Sequence, residues 1–143
     1  MTTPGEARRA DVELRLPADG AYASVLRTTT AGLAARLDFT IDDIEDLRIA
    51  ASEASALVLP EADEGADLLC RFHLDPGQLV LSLTVQSSSA EATDEAGFAW
   101  QVLSTLASEV TAEIADGLFT VRLTLRAGPD AAAGPADGGP TGG

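Results

Sequence analysis

Short segments in which apolar and polar residues alternate occupy much of the second half of the chain. Residues 68–75, 78–86 and 119–126 each place apolar side chains on one face and mostly polar side chains on the other. This period of two is typical of β-strands with one buried face. Shorter runs of the same kind lie at residues 12–16 and 110–114. Strands of this type predict a mostly antiparallel sheet that is covered on one side only.

Two glycine-containing turns join these strands. Pro76-Gly77 predicts a tight turn between the strands at 68–75 and 78–86. Asp116-Gly117 is the strongest hairpin signal in the chain, and it directly precedes the last strand. We therefore expect two antiparallel hairpins.

Two further segments repeat their apolar residues with the period of an amphipathic helix. The first follows Asp19, which can cap it. Its apolar positions are Tyr22, Val25, Leu26, Thr29, Leu33 and Leu37. The second starts at Thr40, with Asp43 in the position where a capping box has Glu or Gln. Its apolar face carries Ile44, Leu47, Ala51, Ala54 and Val58.

A third helix is predicted at about residues 97–108, which makes the order of elements βααββαββ. Because the strands have only one apolar face, all three helices are expected on the same side of the sheet. The sequence therefore predicts an α/β fold of the α+β type. It is a two-layer sandwich in which three helices cover one face of a mixed, mostly antiparallel sheet.

Composition separates one folded domain from two flanking segments. Residues 127–143 hold 14 Gly, Pro or Ala in 17 positions, which leaves too little apolar surface to offset the entropy of ordering them. We predict that this segment and residues 1–10 are disordered, and that residues 11–126 form the domain.

The charge balance limits the classes of function open to the chain. It has 9 basic residues, all of them Arg, against 23 acidic residues, and its formal net charge is −14. This balance argues against direct binding of nucleic acid, which needs a basic surface, and favours a basic partner. The absence of Lys excludes a Walker-type phosphate-binding lysine and Schiff-base chemistry.

Further classes are excluded by residues that the sequence lacks. One Cys and one His rule out a disulfide framework and the usual Cys/His zinc site, so we expect no metal. No apolar run reaches the roughly 20 residues that span a bilayer. The first ten residues also lack the apolar core of a secretory signal. We therefore expect a cytoplasmic protein with no membrane contact.

Two stretches of the chain resemble a known family. Residues 36–55, which include Ser52-Glu53-Ala54, resemble the corresponding part of the RsbW/SpoIIAB-type anti-sigma factors. These are serine kinases built on the GHKL (Bergerat, histidine kinase-like) ATPase fold. Residues 97–110 resemble the Gly-x-Gly segment of that family and the helix after it. The resemblance covers about residues 11–126, is closest to the actinobacterial, UsfX-like branch, and implies the GHKL fold.

The resemblance also implies a nucleotide site in which several family residues are replaced. Glu53 matches the glutamate that acts as general base, and Gly97 matches the first glycine of Gly-x-Gly. The replaced positions are Leu57 for the Mg²⁺-binding asparagine, Ser87 and Ser89 for the aspartate and glycine of the adenine-reading Asp-x-Gly motif, and Ala99 for the second glycine. The segment between Ser87 and Gly97 is also much shorter than the lid of the active kinases.

These replacements predict a degenerate kinase. Leu57 cannot bind a metal, and the Cβ of Ala99 would crowd a phosphate that approaches the helix N-terminus. We therefore expect no cofactor, weak binding of ATP and Mg²⁺ at most, and loss of kinase activity. Glu53 would then be a remnant of the catalytic site, or it would form an ion pair with Arg48 or Arg71.

The resemblance further implies binding of two protein partners. An arginine of the first helix, here Arg27, contacts the sigma factor and the competing anti-anti-sigma factor in that family. An acidic cluster near the junction of the first two helices would suit a basic partner: Asp38, Asp42, Asp43, Glu45 and Asp46. The alternative is that these carboxylates stabilise a helix N-terminus. A second acidic run at residues 61–67 would similarly be either a binding surface or a solvated loop.

Three functions follow as hypotheses. The first is an anti-sigma factor that works by partner switching, for which the resemblance suggests a homodimer. It would sequester an alternative sigma factor of stress or development from RNA polymerase and release it to a STAS-domain anti-anti-sigma factor without ATP. The second is an active ATP-dependent serine kinase of the anti-anti-sigma factor. The third is an orphan regulatory module that binds some other protein.

Four other positions carry predictions of their own. Cys70 falls on an apolar strand face and is expected to be a buried, inert thiol. His73 falls on the polar face beside Arg71 and is expected at the surface. Trp100, at the start of the third helix, either anchors the core or, as we favour, fills the space of the lost nucleotide. The polar face of the sheet, with Arg71 and Arg122, would be solvated or would bind a second copy or a partner.

Overall fold

A computed structural model describes residues 8–91 and 97–128 of the chain. The described residues form five strands and three α-helices in the predicted order, with two short 3-10 turns. The elements are β1 (Val12–Pro17), α1 (Ala23–Ala35), α2 (Ile41–Val58), β2 (Asp67–Asp75), β3 (Gln78–Gln86), α3 (Phe98–Leu106), β4 (Glu109–Ala115) and β5 (Leu118–Arg126). The 3-10 turns are Gly20–Tyr22, before α1, and Leu59–Glu61, after α2.

The five strands belong to one sheet with the order β1-β2-β3-β5-β4. Each pairing among the described strands is antiparallel. Both predicted hairpins form, and Gly77, Asp116 and Gly117 have the positive φ angles of 72°, 57° and 76° that short hairpin turns require. Glycine adopts such angles without steric strain. The predicted two-layer α+β sandwich is confirmed.

The core lies between the sheet and the helices and is almost entirely aliphatic. Leu26, Leu47 and Leu103, one from each helix, are fully buried. On the strands, Phe72 and Leu81 are fully buried in the same cluster. The apolar faces predicted from the alternation in β2, β3 and β5 are the buried ones.

The buried face of α1 differs from the predicted one. Leu26, Thr30 and Ala34 are buried, whereas Tyr22 and Val25 are each 41% exposed. Thr30 can be buried because its hydroxyl donates a hydrogen bond to the carbonyl oxygen of Leu26 at 2.8 Å, which removes the cost of an unpaired polar group. The prediction was right for Leu26, and Leu33 and Leu37 also pack against the core. Hydrophobicity alone missed the buried Thr30 and Ala34.

Asp19 caps the 3-10 turn that precedes α1 rather than α1 itself. Its Oδ1 accepts a hydrogen bond from the backbone N–H of Ala21 at 2.9 Å. The helix proper starts at Ala23, with Tyr22 as an N-cap that makes no side-chain hydrogen bond. The place of the first helix was predicted correctly, and the form of its first turn was not.

The residues before β1 lie across the polar face of the sheet. The Arg8 guanidinium donates hydrogen bonds to both carboxylate oxygens of Asp75, at 3.1 and 3.0 Å, and to Asp11 at 2.7 Å. Asp11 also accepts from the backbone N–H of Leu74 at 2.7 Å. His73 Nε2 lies 3.2 Å from the carbonyl oxygen of Arg8, and His73 is only 9% exposed. The prediction of a surface histidine is therefore wrong, because a distant segment covers it.

Residues 8–10, which we assigned to the disordered N-terminal segment, are thus placed against the sheet. The rest of the two predicted disordered segments, residues 1–7 and 129–143, lies outside the described residues. Every strand and helix of the described residues falls within the predicted domain, 11–126. No helix in the described part of the chain is long and apolar enough to cross a membrane.

Candidate functional site

Helix α2 begins with the capping box predicted at Thr40. Thr40 Oγ1 accepts a hydrogen bond from the Asp43 backbone N–H at 3.1 Å, and Asp43 Oδ2 accepts one from the Thr40 N–H at 3.3 Å. Asp43 Oδ2 also accepts the N–H of Gly128 at 3.0 Å. Partial burial acts to raise the pKa of Asp43, but the hydrogen bonds from Gly128 and Thr40 outweigh it and hold the pKa below its usual value.

Glu53 lies on the same helix, half-buried and without a hydrogen bond or ion pair to any described residue. The predicted ion pair of Glu53 with Arg48 or with Arg71 does not form. Arg71 donates from Nε to Glu13 Oε2 at 3.2 Å on the open face of the sheet, and Arg48 makes no ion pair within residues 8–91 and 97–128. The Glu53 carboxylate therefore keeps its acceptor oxygens for an incoming group, as a general base or a docking contact would require.

Leu57 follows Glu53 by four residues, so the two side chains are neighbours on the helix surface. Leu57 is half-buried and packs against the core. A leucine offers no oxygen to Mg²⁺, which prefers carboxylate, carbonyl and water ligands. Among the described residues, no group of three or more His, Cys, Asp or Glu is arranged to hold a metal ion.

The loop after β3 contains Ser87 and Ser89, the two serines predicted to match the family's adenine-reading motif. Ser87 is buried, and its Oγ accepts a hydrogen bond from the Ala90 N–H at 3.0 Å, so the loop itself uses one of the two acceptor lone pairs of the hydroxyl. Ser89 is exposed. The residue between them, Ser88, donates its N–H and its hydroxyl to Asp63 Oδ1, both at 2.9 Å. The loop is therefore held to the connection between α2 and β2.

Helix α3 starts at the position of the family's Gly-x-Gly segment. Gly97 is the N-cap, with φ −73° and ψ 162°, a conformation that any residue adopts. Ala99 is half-buried in the first turn. Of the short segment predicted between Ser87 and Gly97, residues 92–96 lie outside the described residues. A helix N-terminus favours an anion, but the Cβ of Ala99 occupies the first turn where the family has glycine.

Comparison with known proteins places the chain in a family. No family model matches the chain. The serine-protein kinase RsbW of Bacillus velezensis is 31% identical over 134 residues, which cover 79% of this chain and 83% of that protein. The chain belongs to the RsbW family. A second member, from Bacillus licheniformis, is 30% identical over 139 residues, which cover 82% of this chain and 86% of that protein.

A third RsbW, from Halalkalibacterium halodurans, is more similar over a shorter stretch. It is 39% identical over 79 residues, which make up 54% of this chain and 49% of that protein. The chain thus spans about half the length of that relative and more than four fifths of the two Bacillus proteins. The predicted RsbW-type membership is confirmed.

The RsbW-type partner arginine predicted at Arg27 lies on α1 beside α2. Arg27 is half-buried, and its Nη1 lies 3.4 Å from Ser52 Oγ, which is a long hydrogen bond. The contact places the guanidinium next to the residue that precedes Glu53. No local pattern could have indicated it, since it joins two helices.

The acidic cluster near the junction of α1 and α2 is only partly available for a partner. Asp43 is used by the capping box and by Gly128, so the structural alternative holds for that residue. The other members are exposed and make no ion pair with any described residue: Asp38, Asp42, Glu45 and Asp46. Asp38 sits in the turn between the helices with a φ of 65°.

One residue of the second acidic run, Asp63, has a structural role. Asp63 holds Ser88, as described above, and its own N–H donates to the carbonyl oxygen of Gln86 at 2.8 Å. Asp67 Oδ2 lies 3.5 Å from Arg15 Nη1. In the sequence, Asp63 was grouped with its acidic neighbours by charge alone. Its role in shaping the loop depends on tertiary contacts.

Proposed function

We propose that this protein is an anti-sigma factor that sequesters an alternative sigma factor from core RNA polymerase. Membership of the RsbW family carries the proposal. The exposed carboxylates Asp42, Glu45 and Asp46 support it, because a DNA-binding sigma factor presents basic surfaces. A STAS-domain anti-anti-sigma factor would release the sigma factor by competing at Arg27. The complex would be cytoplasmic and built on one copy of the chain or on a homodimer.

We further propose that the protein acts without ATP. Leu57 stands where RsbW-type kinases have the Mg²⁺-binding asparagine, and the Ser87 hydroxyl accepts a hydrogen bond within its own loop. The residues present therefore do not fit Mg-ATP, and no step of the proposed mechanism passes through it. Since the residue changes resemble those of the UsfX-like actinobacterial branch, we place the chain in that branch as part of the proposal.

Pull-down of the host's alternative sigma factors with the purified chain tests the binding function. We expect one sigma factor to be retained at micromolar concentration and Arg27→Ala to weaken retention. Arg36→Ala is the matched control, because Arg36 is an exposed arginine at the end of the same helix. Recovery of no sigma factor would overturn the proposal and favour an orphan regulatory module.

Glu53 supports a second candidate, an active serine kinase, because its carboxylate is unpaired among the described residues. Calorimetric titration with Mg-ATP separates the two. The proposed function predicts no measurable heat, and the same result for Glu53→Ala. Tight, Mg²⁺-dependent binding, together with phosphorylation of the STAS partner that is lost in Glu53→Ala, would establish the kinase instead.

A further inference from the structure

An apolar groove lies on the surface between α2 and α3. It has a volume of about 380 Å³ and is lined by Ile49, Gln101, Val102, Thr105 and Leu106. Ile49 is 46% exposed, so this isoleucine of α2 faces solvent in the open groove. An isoleucine side chain left in water forgoes the stabilisation that burial would supply.

The apolar lining continues along α3. Phe98, Val102 and Leu106 follow one another at intervals of four residues, so they form one stripe along the helix. Phe98 is one of the most exposed large apolar side chains in the described part of the chain, at 77%. Helix α3 carries no charged residue between Phe98 and Leu106. Val102 and Leu106 thus line the groove with Ile49, and the exposed Phe98 lies one turn before Val102 on the same face of α3.

Carboxylates surround Ile49 on α2. Glu45 and Glu53 lie four residues before and after it, and Asp46 lies three residues before it, so all three flank Ile49 on the helix surface. None of the three forms an ion pair with a described residue. Arg48 is the one cation next to Ile49 along the chain. Arg27 also lies close, since its Nη1 is 3.4 Å from Ser52 Oγ, three residues after Ile49. Three carboxylates against two arginines still give the helix surface beside the groove an excess of negative charge.

We propose that this groove binds an amphipathic helix of the sigma factor that has an apolar face and basic flanks. The inference rests on the proposed function and extends it, since it adds a second contact surface to the one at Arg27. Apolar side chains of the bound helix, spaced by three or four residues, enter the groove over Ile49 and Val102. Arginines or lysines beside them meet Glu45 and Glu53.

Charge selects this occupant over a second copy of the same chain. The chain carries a net charge of −14, so an identical surface would bring like charges to the rim. A basic helix instead gains both apolar burial and charge complementarity. The groove also extends the acidic surface of Asp42, Glu45 and Asp46 toward α3, so one partner can cover both.

The test measures affinity between the full chain and the sigma factor that it retains, by biolayer interferometry. Ile49→Glu is expected to weaken binding by about tenfold or more, as loss of a central apolar contact does. Ile114→Glu is the matched control, because Ile114 is a similarly exposed isoleucine, at 38%, on the edge strand β4. It is expected to change affinity by less than about twofold.

A charge variant tests the rim separately. Glu45→Lys is expected to slow association and reduce its salt dependence, whereas Glu113→Lys on β4 is expected to leave both unchanged. Thermal unfolding of each variant confirms that it folds. Wild-type binding that survives unchanged in Ile49→Glu and Glu45→Lys would overturn the groove and leave the proposed function standing.

Two further outcomes would overturn the inference. If the wild-type chain binds no sigma factor, both the groove and the proposed function fail. If Ile49→Glu converts a wild-type dimer to a monomer, as measured by light scattering, the groove belongs to a second copy of the chain.

Discussion

Replacement of Asp43 by Ala would show whether the acidic cluster at the start of α2 is structural or reserved for a partner. Asp43 Oδ2 accepts the backbone N–H groups of Thr40 and Gly128, at 3.3 and 3.0 Å. The substitution removes both hydrogen bonds and one negative charge from the first turn. Asp42→Ala is the matched control, because it removes a neighbouring carboxylate of the same turn that makes neither bond.

The difference between the two variants isolates the two hydrogen bonds. Each variant changes helix propensity equally, and each loses a similar interaction with the helix dipole, about 0.3–1 kcal/mol. Two partly solvated hydrogen bonds to a carboxylate then leave about 1–2 kcal/mol of extra destabilisation in Asp43→Ala. For a domain of this size, that corresponds to a melting temperature lower by roughly 3–10 °C.

The sign of the pH dependence follows from the lowered pKa of Asp43. A carboxylate whose pKa is lower in the folded state stabilises the fold above its unfolded pKa and loses that effect as pH falls through the folded pKa. Thermal unfolding should therefore show the full gap between the two variants at neutral pH and a closing gap below about pH 4. Equal melting temperatures at neutral pH, or a gap that widens in acid, would refute the structural role.

Other predictions follow from buried and left-handed positions. Burial raises the pKa of the Cys70 thiol to about 12. A thiol reagent at mildly alkaline pH should therefore react with Cys70 only after denaturation, and fast reaction of the native protein would contradict this. Leu81→Ala should cost about 2–5 kcal/mol in chemical denaturation, because Leu81 is fully buried, and a loss below about 1 kcal/mol would place it outside the core. Gly117→Ala should destabilise by about 1–2 kcal/mol, because its φ is 76°, whereas Gly32→Ala in α1 should stabilise by about 0.5–1 kcal/mol. Both glycines have open space where a Cβ would sit, so effects of the same sign would contradict the explanation.

The strands were predictable because the alternation of apolar and polar residues within each strand shows which of its faces is buried. β3 spans the predicted residues 78–86, and the Asp116-Gly117 turn marks the last hairpin. His73 was predicted at the surface because the segment that covers it, at Arg8, lies 65 residues away in the sequence. Thr30 was left out of the predicted inward face of α1, yet its hydroxyl finds a hydrogen-bond partner within the helix. Both errors concern partners that hydropathy does not encode.

The candidate site was predictable to a different degree. The capping box at Thr40 was readable as a motif, and the neighbouring positions of Glu53 and Leu57 follow from helix geometry. The contact of Arg27 with Ser52 joins α1 to α2, and it required the packed structure. The apolar groove at Ile49 was not found from the sequence, because its two sides come from α2 and α3, and its exposed residues resemble core residues in a hydropathy pattern.

Competition for a fluorescently labelled sigma factor between this protein and core RNA polymerase tests the central claim most directly. The assay contains EDTA and no nucleotide. Stoichiometric protein is predicted to remove the sigma factor from the polymerase, with the same titration curve in a parallel assay that contains Mg-ATP and no EDTA. Removal only in the presence of Mg-ATP, or no removal at all, would contradict the account.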